Sequence, residues 1–81
     1  MNTKQTLTEA LSGRVEEVAL YQLNIDNYRL AIAHIDTMSE TDRVELADFK
    51  NELSARLVAE LHQQKRALVM LTVIEQQVSA L

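Results

Sequence analysis

The chain has 81 residues, no cysteine and a net charge of −4, and each of these counts excludes a class of protein. Without cysteine there can be neither disulfides nor thiolate metal sites. Nucleic-acid-binding domains usually carry the opposite charge, so the acidic balance argues against a protein that wraps a phosphate backbone. This length allows one domain, and a core of that size provides little net stability by itself.

No part of the sequence predicts export or insertion into a membrane. The first 13 residues contain one Lys and no continuous apolar stretch, unlike a secretory signal peptide. The longest apolar stretch, residues 67–74, has seven apolar side chains among eight. That is far below the roughly 20 residues needed to cross a bilayer. We therefore expect a cytoplasmic protein that does not contact the membrane.

The composition predicts α-helices throughout the chain. There is no Pro and only one Gly, and 47% of the residues are hydrophobic with few aromatics, a profile typical of helices. We predict a single domain with a flexible N-terminus at 1–6, a helix at about 7–36, a turn at about 37–40 and a second helix at about 41–80. The fold class is therefore all-α.

Two pairs of residues mark the predicted helix starts. Thr6 and Glu9, and then Ser39 and Asp42, have the three-residue spacing of N-terminal capping residues. The pair Ser12–Gly13 weakens the first helix, since Gly in a helix interior costs about 1 kcal/mol relative to Ala. The pair allows a kink or a short separate N-terminal helix there, and the sequence does not decide whether the helix breaks.

The apolar residues predict that the two helices form an antiparallel hairpin. When the first helix is read backward against the second, apolar residues pair in layers whose numbers sum to between 77 and 79, as a tight turn near Ser39 requires. The predicted layers are Ile35 with Val44, Ile32 with Leu46, Tyr28 with Phe49, Ile25 with Leu53, Tyr21 with Leu57, Val18 with Leu61, Leu11 with Leu68 and Leu7 with Leu71, with Val15 opposite Gln64 in the one polar layer.

The sequence holds more apolar side chains than this hairpin can cover. A monomer would expose a larger apolar patch than soluble proteins usually tolerate. We therefore expect a homo-oligomer, either a dimer that forms a four-helix bundle or a larger ring of hairpins. The predicted oligomer interface consists of Leu20, Leu23, Leu30, Val58, Val69, Val73, Ile74, Val78 and Leu81.

No motif predicts catalysis, a metal site or a cofactor. His34 and His62 are the only histidines, and neither has a second His or a carboxylate at metal-binding spacing beside it. We expect both at the edge of a subunit contact. The serines lack a His and acid arrangement, and there is no Gly-rich phosphate loop. We therefore expect no enzyme activity and no cofactor.

Two functional hypotheses remain. The first is a non-catalytic oligomeric protein that binds a protein partner, such as an accessory or inhibitor protein of a bacterium or phage. The second is an oligomer that binds a small anionic ligand at a subunit boundary. Nucleic-acid binding and a helical enzyme are weaker alternatives. The candidate contact residues for a partner or ligand are Arg14, Arg56, Lys65 and Arg66, and Arg14 also lies near Glu60 and Gln64, where fixing the helix register is the favoured role.

Overall fold

Residues 2–81 are described by a computed structural model, and they form three α-helices and no strand. Helix α1 is Thr3–Asp36, α2 is Glu40–Glu45 and α3 is Ala47–Ser79. The prediction of an all-helical chain with two long helices is confirmed. The short helix α2, which joins the two long ones, was not predicted as a separate element.

Helix α1 begins earlier than predicted, because Asn2 caps it. The Asn2 side-chain oxygen accepts a hydrogen bond from the Lys4 backbone N–H at 2.9 Å, which satisfies one of the free donors of the first turn. Thr6 lies inside the helix, where its hydroxyl donates to the Asn2 carbonyl at 3.2 Å. The predicted cap at Thr6 is therefore wrong, and residues 3–6 are helical. Met1 lies outside the described residues.

Helix α1 continues without a break through Ser12 and Gly13. Ser12 and Gly13 therefore do not divide it into two helices. A Cβ atom added at Gly13 would meet no other atom within 4 Å, so no neighbour requires a glycine there. The cost in helix propensity remains, but the packing of a 34-residue helix outweighs it.

The connection between the long helices is closed by side-chain caps. The Thr37 hydroxyl donates to the His34 carbonyl at 2.6 Å, and the Ser39 hydroxyl accepts from the Asp42 N–H at 3.3 Å. The predicted cap at Ser39 is confirmed. Leu46 separates α2 from α3, yet its N–H bonds to the Asp42 carbonyl at 2.9 Å. Helical hydrogen bonding therefore carries on across the interruption.

Helices α1 and α3 lie side by side and run in opposite directions. Their 34 and 33 residues would each span about 50 Å at 1.5 Å per residue. The whole molecule is only 60 Å long, 17 Å wide and 14 Å thick. Lys50 forms an ion pair with Asp36, and Gln64 donates to Gln22 at 2.9 Å. Residue numbers fall along α1 as they rise along α3.

Most of the residues covered between α1 and α3 recur at alternating spacings of three and four, and Leu61, which was assigned to the seam, is half-buried beside them. This spacing is the 3.5-residue period of a coiled-coil seam. Ile25, with 0% exposure, is the most buried of them. The seam consists of Leu7, Leu11, Arg14, Val18, Tyr21, Ile25, Tyr28, Ile32 and Ile35 in α1, and of Lys50, Leu53, Leu57, Glu60, Gln64, Ala67, Leu71, Ile74 and Val78 in α3.

Four apolar residues assigned to the seam from the sequence are exposed instead. The strict repeat brings Arg14, Lys50 and Ala67 into the seam, which turns the apolar neighbour of each one outward. A lysine can occupy such a position because its hydrocarbon stem packs while its ammonium group reaches an acid, here Asp36. These neighbours are Val15, Phe49 and Leu68, and the fourth exposed residue, Val44, lies in α2.

We expect Ile25→Ala to lower the free energy of unfolding by about 2 to 5 kcal/mol, because the truncation leaves a cavity at a fully covered position of the seam. Urea unfolding followed by circular dichroism measures the loss. Arg29→Ala, an exposed change on the same helix, is the matched control and should stay within about 0.5 kcal/mol. Equal effects of the two changes would contradict the seam.

We expect Gly13→Ala to raise the free energy of unfolding by up to about 1 kcal/mol, because the position is helical and a methyl group there meets no neighbour. Thermal unfolding at a fixed protein concentration measures the gain. A destabilising effect would show that α1 does not run straight through this position in solution.

Candidate functional site

Large apolar side chains are exposed on the sides of α1 and α3 that face away from each other. At about 100° per residue, each lies roughly half a turn from the seam. Leu20, Leu23 and Leu30 form what we name the α1 outer face, and Val58, Val69 and Val73 form the α3 outer face. Their exposed fractions run from 42% for Val73 to 68% for Leu30. The two outer faces lie on opposite sides of the helix pair.

The other three residues of the predicted interface lie near the end of α3 and differ among themselves. Leu81 is 66% exposed, Val78 is half-buried and Ile74 is only 9% exposed. The prediction that Ile74 lies beyond the first helix and belongs to the oligomer interface is therefore wrong. Because α1 begins at Thr3 instead of about residue 7, it extends far enough to cover this part of α3.

The exposed apolar surface of α3 is wider than the sequence indicated. Leu68, Val69 and Met70 are consecutive and all exposed, and three successive residues span about 200° of a helix surface. Met70 was not singled out from the sequence, although its place in the apolar stretch 67–74 signals it. Within residues 2–81, no helix combines the length and apolar character needed to span a membrane.

A shallow basic recess lies on α3 beside the outer face. Its volume is about 330 Å³, and it is lined by His62, Lys65, Arg66 and Val69. These four residues are spaced at i, i+3, i+4 and i+7, so they share one side of the helix. The recess presents two cationic groups and an imidazole next to an apolar side chain. It is suited to an acidic group with an apolar neighbour, and we name it the α3 recess.

Only two of the four predicted contact cations lie together. Lys65 and Arg66 both line the α3 recess. Arg14 pairs with Glu17 of its own helix at 2.9 Å, and Arg56 lies nine residues before Lys65, about 14 Å along the helix axis. The predicted set of four is therefore not a single cluster within one chain.

Arg56 is held by neighbours on both long helices. A hydrogen bond with Tyr28 of α1, and then the negative charge of Glu52, raise the pKa of Arg56 above its ordinary value. The Glu52 carboxylate accepts a hydrogen bond from the guanidinium at 2.7 Å. Because arginine is already cationic at neutral pH, the shift does not change its charge. The Arg56 side chain is nevertheless 60% exposed, so its ion pair with Glu52 lies at the surface.

Polar residues in the middle of the seam link the two helices. The Asn24 side-chain amide donates to the Glu60 carboxylate at 3.3 Å. Gln64 donates to the Val18 carbonyl at 3.5 Å as well as to the Gln22 side chain. Arg14 was predicted near Glu60 and Gln64, but it pairs with Glu17 of its own helix, whereas Glu60 and Gln64 bond to α1.

The two histidines lie apart, on different helices. His34 is exposed in the last turn of α1, and His62 lines the α3 recess. Across residues 2–81, no group of three or more His, Asp or Glu side chains is arranged to hold a metal ion. Neither histidine is thus part of such a cluster.

Comparison with known proteins adds no relative. No family model matches the chain, and neither a curated protein nor a solved structure shows significant similarity to it.

Proposed function

We propose that this chain is a non-catalytic interaction protein, whose antiparallel helical hairpin assembles with further copies and binds a partner protein. The supporting observation is the exposure of the two outer faces. Leu20, Leu23, Leu30 and Val69 are each more than half exposed in the single chain. Exposed apolar patches of this kind typically mark interaction surfaces.

The small core of the helix pair supports the same proposal. Among residues 2–81, five hydrophobic side chains are buried: Ile25, Ile35, Leu53, Ala67 and Ile74. Full burial of a large apolar side chain contributes about 1.5 to 3 kcal/mol, and domains of this size are marginal without additional burial. Association of copies through the outer faces adds burial that the single chain lacks.

The charged surfaces supply the proposed contact with a different protein. Acidic residues cluster between Glu40 and Glu52, at the start of the second half of the chain. The positive charges of Lys65 and Arg66 lie at the α3 recess. Charges at the rim of an interface steer association and select partners. A small helical chain of this composition suits an accessory or inhibitor protein of a bacterium or phage.

We expect Leu23→Lys combined with Val69→Lys to weaken self-association while leaving the helix content largely intact. Each substitution places a charge in an outer face, and burying an unpaired charge is costly. Light scattering at several protein concentrations measures the molar mass, and circular dichroism measures the helix content.

The matched control adds the same two charges at exposed positions on the flanks of the helices, as Ala10→Lys with Gln63→Lys. It should associate like the unmodified protein. A folded monomer of the unmodified protein at several hundred micromolar would refute self-association.

The α3 recess supports a second candidate function, the binding of a small anionic ligand. Lys65 and Arg66 provide two positive charges within one turn, and His62 adds a hydrogen-bond donor. A second chain that packed beside the recess would enclose it further. A subunit boundary is therefore the proposed location.

We expect pyrophosphate or a nucleoside triphosphate to raise the melting temperature if this second function is correct. A ligand at 100 times its Kd stabilises the folded state by about 2.7 kcal/mol. A thermal-shift screen measures the change, and Lys65→Gln with Arg66→Gln should abolish it. No shift with any multivalent anion would exclude the recess as an anion site.

A further inference from the structure

The direction of the two outer faces restricts how copies can associate. A contact with two-fold symmetry uses the same surface patch on both copies. Since the α1 and α3 outer faces lie on opposite sides of the helix pair, one such contact covers one face and leaves the other in water. A contact between the α1 outer face of one copy and the α3 outer face of another uses both faces in the same way.

The charges beside the two faces are of opposite sign. Glu16 lies one turn before Leu20 on α1, and Lys65 lies one turn before Val69 on α3. Glu16, Lys65 and Arg66 are all exposed. Within residues 2–81 the ion pairs are Arg14 with Glu17, Lys50 with Asp36, and Arg56 with Glu52. Glu16 and the two cations of the recess therefore have no ionic partner in the described part of the chain.

The spacing of these groups also matches between the faces. Suppose that α1 of one copy lies parallel to α3 of another, and that each α1 residue lies beside the α3 residue whose number is 49 higher. Glu16 then lies beside Lys65, and Leu20 beside Val69. Leu23 then lies next to Val73, which is 50 residues ahead. The same alignment therefore joins one charge pair and two apolar pairs.

We propose that the α3 recess receives Glu16 from the α1 outer face of a second copy, so that copies join head to tail through unlike faces. This inference rests on the self-association in the proposed function and specifies its geometry. The apolar contact of Leu20 with Val69 supplies the buried surface, and the ion pair of Glu16 with Lys65 or Arg66 selects the register. Rim ion pairs contribute more to selectivity than to affinity.

Cysteine cross-linking tests the geometry directly, because the chain has no cysteine of its own. Leu20→Cys and Val69→Cys are made in separate chains, and oxidation is started from the reduced state for each chain alone and for their equimolar mixture. We expect the mixture to form a disulfide-linked dimer at least tenfold faster than either chain alone. Ala33→Cys mixed with Val69→Cys is the control and should cross-link slowly. Faster cross-linking of either chain with itself would overturn the proposal.

Charge reversal provides the second measurement. We expect Glu16→Lys to weaken association about threefold to tenfold, a range appropriate for an exposed ion pair at an interface edge. Lys65→Glu with Arg66→Glu should weaken it to a similar extent. The three changes together restore opposite charges on the two faces, so association should recover. Sedimentation velocity at low ionic strength measures each variant.

The outcomes separate this inference from the proposed function. If the unmodified protein stays monomeric, both self-association and the head-to-tail contact fail. If it associates but the three-change variant shows no recovery and the cysteines prefer like pairs, only the head-to-tail contact fails.

Discussion

Two helices packed against each other can bury only one stripe of each, and the rest of this molecule follows from that limit. The seam takes every third or fourth residue and covers Ile25 and Leu53 almost completely. Side chains elsewhere on the same helices remain in contact with water, whatever their polarity. Leu30 is 68% exposed although it lies within five residues of Ile25. The outer faces are thus a geometric consequence of building a protein from one helix pair with so many apolar residues.

The element types and one helix start could be predicted from the sequence. Which residues of each helix face the other helix could not. Ser39 is followed by a helix because its hydroxyl can accept the Asp42 N–H, which a local pattern predicts. Near the N-terminus both Asn2 and Thr6 are residue types that cap helices. Asn2 is the cap in the structure, because α3 is long enough to pack against the additional turn of α1. The stretch 67–74 is apolar at nearly every position, so its pattern does not show which side of the helix faces α1. The repeat of buried residues in the rest of α3 determines that Ala67 is buried and Leu68 is exposed.

The candidate site could be predicted in part, where the apolar pattern determines which side of a helix faces outward. Leu20, Leu23 and Val69 could be assigned to outer faces because they lie half a turn from strongly apolar seam positions. The four cations could not be sorted by charge alone. Acids at helical spacing hold Arg14 and Arg56, namely Glu17 three residues later and Glu52 four residues earlier. Lys65 and Arg66 have no such acid in the described residues, and this leaves their charges free to meet another chain.

A contact between unlike faces also determines what kinds of assembly are possible. Each copy in such a contact offers one acidic apolar face and one basic apolar face, so every added copy leaves one of each at the ends. The assembly closes into a ring only if the rotation per copy divides a full turn, and it otherwise grows as an open chain. A partner protein that presents a helix with an acid one turn before a leucine would occupy the α3 recess in the same way as Glu16 and Leu20 and stop growth. Self-association and partner binding would then compete for a single surface.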